Sequence, residues 1–174
     1  MSRDSLRTSL MDALDDADER RRGARADRLI WMGQFERGVA YLSHADTSTV
    51  LQEAKNCYAD GHFVATQLLV IAFVEHVLYE KLEGKGLYRR RMPLEAMIRA
   101  ASESSLLQPS VLSEIDRLRS LRNPFVHREA GQRVPGLGER VLIQKVHPTT
   151  LLEQDAKDSI ALMYAVFEAW LSDA

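Results

Sequence analysis

The chain has 174 residues, of which 45% are hydrophobic and 28% charged, with 9 Gly and 5 Pro; it is long enough for one domain with a core, and its composition excludes a disordered or collagen-like polymer while favouring helix. The formal charge of −2, from 23 Lys and Arg against 25 Asp and Glu, excludes the basic balance of a constitutive nucleic-acid binder and leaves room only for local basic patches. Cys57 is the single cysteine, which rules out an intrachain disulfide and a thiolate zinc cluster and fits a reducing compartment.

Leu6, Leu10, Leu14 and Ala17 recur at helical spacing, with Asp and Arg on the other faces. This pattern predicts an amphipathic helix over residues 4 to 22, closed by Gly23. The same segment lacks the continuous apolar centre of a signal peptide. The most apolar run, Leu68 to Val74, meets Glu75 and His76 well short of a bilayer-spanning length. A cytoplasmic protein without a membrane partner is the expectation. A second helical pattern carries Leu29, Ile30, Phe35, Val39 and Leu42, and a third begins near Thr47 or Ser48 and stops at Asp60-Gly61.

Residues 62 to 83, "HFVATQLLVIAFVEHVLYEKLE", are apolar on nearly every side, the pattern of a helix at the centre of a bundle. "GKGLYRRRMP" then breaks the chain, and Pro93 opens a short helix as its first residue, with Leu94, Met97 and Ile98 inward. Gln108-Pro109-Ser110 makes the next break. Beyond it Val111, Ile115 and Leu118 step along one face into "RNPFVH", where the Asn-Pro step should break the helix, with Asn123 capping a new turn that starts at Pro124. The Gly and Pro of residues 129 to 148 exclude one continuous helix there and predict a long loop holding a short strand, "RVLIQKV". Thr150 with Glu153 resembles a capping box for a last helix to Leu171, with Ile160, Met163, Tyr164, Phe167 and Trp170 on its apolar side. The expected fold is all-α: an antiparallel helical bundle over residues 48 to 174, preceded by a helical extension over residues 1 to 47. No internal repeat or low-complexity tract is present.

One residue on the helix after Pro109 resists a purely structural account. At about 100° per residue, Arg122 falls within about 60° of Ile115, as do Val111 and Leu118. A guanidinium keeps its charge, so on an apolar face it requires an acceptor. The same arithmetic puts Glu75 on one face with Leu68, Ile71, Leu78 and Leu82. Either Glu75 and Arg122 face each other as an ion pair, or each reaches water separately.

The segment "IDRLRSLRNPFVHRE", with the core helix containing "FVEHVLYEKL" and the terminal amphipathic helix, resembles a HEPN domain over about residues 48 to 172. The family's motif is an Arg, a polar residue and a His after four to six intervening positions, and Arg122, Asn123 and His127 fill those places. The resemblance implies a metal-independent endoribonuclease without a cofactor. It also implies RNA as the partner, a homodimer with two motifs facing across the interface, and a toxin or defence role with a possible antitoxin or other regulatory protein. Some members are inactive interaction or nucleotide-binding modules. In one toxin branch a tyrosine that is modified by an antitoxin lies two residues after the histidine; this chain has Glu129 there.

The residue types suit that chemistry. RNA cleavage without metal needs a group to take the 2'-hydroxyl proton, a fixed positive charge for the phosphorane, and an acid for the leaving oxygen. An imidazole can take or give a proton near neutrality, which makes His127 the candidate base, acid or both; Arg122 offers planar donors to phosphate oxygens, and Asn123 can orient either. No carboxylate cluster or Cys/His set of metal-ligand spacing is evident. Arg89, Arg90 and Arg91, with Tyr88 for stacking, and the basic run at residues 19 to 25 are candidate RNA-backbone contacts, although such runs are more often solvated helix ends.

Overall fold

The computed structural model describes residues 2–36, 44–126 and 135–171, and these form seven α-helices with no strand among them. The chain divides into two compact units, Met1–Val39 and Ala40–Ala174.

The first unit is built on α1 (Arg3–Gly33). Ser2 caps it by accepting a hydrogen bond from the Ser5 amide at 3.2 Å. Gly23 does not end this helix as its sequence position suggested. Glycine inside a helix costs only about 1 kcal/mol against alanine, and the surrounding Arg and Ala residues are strong helix formers, so the helix runs through it. Leu29 and Ile30 thus belong to α1 and not to a second helix; the chain turns only where the Phe35 amide donates to Met32 O. Val39 and Leu42 lie outside the described residues.

The second unit is a bundle around α3 (Phe63–Gly84), which packs against α2 (Ala45–Asp60), α4 (Leu94–Glu103), α5 (Pro109–Val126) and α7 (Pro148–Leu171). Val70, Phe73, Val74, Val77, Leu78 and Leu82 of α3 are fully buried, meeting Ile115 and Leu118 of α5 and Ile160, Met163 and Val166 of α7 in the core. Burial on so many sides explains why α3 lacks a polar stripe. By length and composition α3 is long and apolar enough to cross a membrane, because the apolar character continues past Glu75 and His76; half of its most apolar window is buried inside the protein. That is compatible with a soluble core helix.

The turn from α2 into α3 needs Gly61. Its φ of 82° lies in the left-handed region, and the His62 amide reaches back to Cys57 O at 2.8 Å. Burial, followed by the charges of Glu53 and Asp60, raises the pKa of the Cys57 thiol. Alkylation of Cys57 by iodoacetamide at pH 8 is therefore expected to run slower than that of a free cysteine. Equal rates would show the thiol to be solvated and remote from both carboxylates.

Three further local expectations are corrected. "RVLIQKV" is mostly helix, α6 (Leu137–Gln144), closed by Lys145 at a φ of 55°. A strand there would have no neighbouring strand among the described residues to satisfy its backbone, whereas a helix satisfies its own. The last helix starts at Pro148, so Thr150 sits inside the first turn; the Thr149 amide donates instead to Nδ1 of His147 at 3.3 Å. Pro93 likewise precedes α4 as its N-cap and is not its first residue.

Candidate functional site

Helix α5 carries Arg122 and Asn123 of the motif. Its buried positions Leu112, Ile115 and Leu118 fix its rotation, and Arg122 lies one turn beyond Leu118. The helix does not break at the Asn-Pro step; it continues through Pro124 to Val126. Proline removes the amide that would bond Ser120 O, but so near the helix end only this one bond is forfeited, and Asn123 stays helical and half-buried.

Arg122 keeps 20% of its side-chain exposure, and its Nη2 lies 3.8 Å from Oε1 of Glu75 on α3, whose side chain is 36% exposed. The two charges assigned to facing sides of α3 and α5 therefore form an ion pair, although at a length that is electrostatic contact and not a hydrogen bond. The exposure of Leu68 shows that the Glu75 face of α3 opens to solvent at its N-terminal end. Nε of Arg122 is buried without a hydrogen-bond partner. The guanidinium thus retains donor capacity beside a carboxylate that holds it in place. Nε itself is shielded, so a phosphate oxygen would meet this planar cation only through the 20% of the side chain that stays exposed.

His127 and Glu129 lie outside the described residues. Arg89, Arg90 and Arg91 are exposed on the connection between α3 and α4, with Arg91 in the left-handed region at a φ of 61°. Tyr88 is half-buried, and its ring meets Tyr79 edge to face at 4.7 Å, while the Tyr79 hydroxyl donates to Glu83 at 2.5 Å. The hydrogen bond to Glu83 raises the Tyr79 pKa. That ring stacking occupies part of the surface that Tyr88 would need for a base.

Two polar clusters have no signature in the sequence. Thr47 of α2 is buried, and its hydroxyl donates to Glu80 Oε1 at 2.9 Å while lying 3.4 Å from Nδ1 of His76. The group is reminiscent of a nucleophilic triad, but the Thr47 proton is directed to the carboxylate and the oxygen is shut off from solvent, so its work is to join α2 to α3. The second is a fork-to-fork pair: Arg140 Nη1 and Nη2 donate to Asp155 Oδ2 and Oδ1 at 2.6 and 2.7 Å, joining α6 to α7. The trace in the sequence is one Arg in a short apolar run and one of the two Asp on a core helix, 15 residues apart, which no local pattern connects. A groove of about 560 Å³ between α5 and α7 is lined by Ser110, Glu114, Arg117 and Asp158 among others, and Arg122 is not part of it. No group of three or more His, Cys, Asp or Glu able to hold a metal ion occurs among the described residues.

No protein-family model matches the chain, and neither a curated protein nor a solved structure matches it.

Proposed function

We propose that the chain is a HEPN-type, metal-independent endoribonuclease that acts as a homodimer. The observation that carries the reading is Arg122, a guanidinium on the apolar side of α5, held beside Glu75 with Nε lacking a partner, in the sequence Arg122-Asn123 followed by His127. A charge kept there for packing alone would be better replaced by an apolar residue, whereas a charge kept for a phosphate has a use. In this reading the neutral imidazole of one His127 takes the 2'-hydroxyl proton as O2' bonds to phosphorus. The P–O5' bond breaks, and O5' takes a proton from the imidazolium of His127 in the second copy. Arg122 stabilises the phosphorane oxygens, and Asn123 orients the phosphate or an imidazole. Arg89, Arg90 and Arg91 contact the RNA backbone outside the scissile step, a contribution that added salt weakens.

The test is incubation with bulk RNA in excess chelator. The wild-type chain is expected to leave 2',3'-cyclic phosphate ends, and His127→Ala to leave the RNA intact. Cleavage abolished by chelator and restored by magnesium would refute the mechanism.

A further inference from the structure

We infer that Arg119 binds the backbone phosphate next to the scissile one and so positions the strand against Arg122, an assignment that rests on the ribonuclease reading above. Measured from Ile115 at about 100° per residue, Arg119 stands at about 40°, Arg122 at about −20° and Asn123 at about 80°. The buried Leu112 and Leu118 stand at about 60° and −60°. Both arginines therefore fall inside the arc that α5 turns toward the bundle, and that arc changes from apolar to polar over the last two turns of the helix. Val126 lies on the same arc, at about 20°, yet is 45% exposed, so this end of the arc opens to solvent.

Arg119 is held in place along one edge only. Its Nε donates to Oδ1 of Asp116 at 2.8 Å and its Nη2 lies 2.7 Å from the same oxygen, with 24% of the Arg119 side chain exposed. Nη1, on the other edge, has no partner among the described residues and is not sealed from water. The side-chain amide of Asn123, one turn on, is likewise unpartnered and accessible. Arg119 and Arg122 are three residues apart, with Cβ atoms about 5–6 Å from each other, so their like charges repel unless anions lie across them. Asp116 of α5 and Glu75 of α3 offset part of that repulsion, and neither occupies Nη1 of its arginine. The two guanidinium groups are thus anchored separately and offer two sets of planar donors, which suits two phosphates of one strand. A strand whose scissile phosphate rests on Arg122 brings a neighbouring phosphate within the reach of Arg119. Arg117 on the same helix is the contrast. It stands about 160° from Arg119, and its Nε and Nη2 are taken by Glu114 at 2.7 Å and by Asp158 of α7 at 3.2 Å.

The test uses the full chain and a DNA oligonucleotide carrying one ribonucleotide, which fixes the scissile step at the only O2'. Methylphosphonate replaces the phosphate on the 5' or the 3' side of that step. Arg119→Gln is expected to raise KM about tenfold with kcat within about twofold of wild type, because a flanking phosphate is held equally in the ground and transition states. One of the two methylphosphonates should weaken wild type by a similar factor and cost Arg119→Gln nothing further, a signature that a purely structural role does not produce. The KM penalty should persist in an Asp116→Asn background, which removes the repulsion of an unpaired carboxylate. It should be absent from Arg117→Gln, which removes the same charge from the opposite side of α5. Arg119→Lys keeps a charge without the planar fork and should recover part of the loss. Equal KM for wild type and Arg119→Gln, or a methylphosphonate penalty that both share, would overturn the assignment. A wild type that leaves the ribonucleotide uncut refutes the ribonuclease reading instead, and fluorescence anisotropy with the all-DNA oligonucleotide then decides Arg119 by itself. A bound phosphate there gives Arg119→Gln a slope of log Kd against log salt about 0.7 shallower than wild type, and an unchanged slope overturns the contact.

Discussion

Replacing Arg140 by Ala is expected to destabilise the protein by about 3–5 kcal/mol, the cost of leaving a buried charge without its partner. Asp155 is only 4% exposed in its side chain and Arg140 15%, so neither has water to fall back on. Both carboxylate oxygens are engaged at 2.6 and 2.7 Å. The Asp155 carbonyl in turn accepts the Ser159 hydroxyl at 2.6 Å. The loss should lower the melting temperature by roughly 10 °C or more for a unit of this size. Asp155→Ala should cost less, because the stranded guanidinium is the more exposed member. The double replacement Arg140→Met with Asp155→Leu should come closest to wild type, since exchanging a buried pair for apolar side chains of similar volume is often neutral. The hydrogen bonds to Asp155 raise the Arg140 pKa above its ordinary value. A group raised on folding gives stability that is fully present below its unfolded pKa and is lost only as pH rises through the folded one, so Arg140 titration removes none of it between about pH 5 and 10. Urea unfolding of the three variants checks this, and a loss under about 1 kcal/mol for Arg140→Ala would mean that water, not protein, solvates the pair.

That pair also marks where sequence patterns stop being informative. The central helix was readable because its burial is written into consecutive residues; Phe63 to Leu82 needs no knowledge of its neighbours to be placed inside. The rotation of α5 was readable for the same reason, since Ile115 and Leu118 set a face on which Arg122 had to fall. Glu75 followed from α3 in the same way. What failed were features decided between segments or by small local energies. Gly23 is a cheap interruption that strong neighbours override, and "RVLIQKV" carries a strand-like composition that only the absence of a neighbouring strand corrects. His147 serves as the acceptor for the Thr149 amide because the chain approaches α7 at Pro148, which Thr150 and Glu153 did not reveal. Arg140 and Asp155 meet only once α6 has folded as a helix beside α7.

Arg122→Ala is expected to lower RNA cleavage by about 10²–10³-fold in kcat, the usual cost of removing one preorganised donor from a developing oxyanion, while changing stability far less. With 20% and 36% of their side chains exposed and 3.8 Å between them, Arg122 and Glu75 form a solvent-screened pair whose mutual worth is at most about 1 kcal/mol. Most of the stability lost on truncation should be the packing of the aliphatic stem against the helix face. Arg122→Lys separates charge from geometry. Lysine restores a positive point charge but not the planar fork, so a variant that melts near wild type and still cleaves poorly assigns the activity to directed donors. Glu75→Gln keeps the shape of the carboxylate and removes its charge; if Glu75 positions Arg122 without touching the RNA, this variant should lose activity through kcat with KM nearly unchanged, and a second substitution at Glu75 should add little once Arg122 is gone. An Arg122→Ala chain that cleaves RNA at the wild-type rate would remove the guanidinium from the chemistry, and its buried Nε would then be a cost of packing α5 against α3 rather than a donor kept for a phosphate.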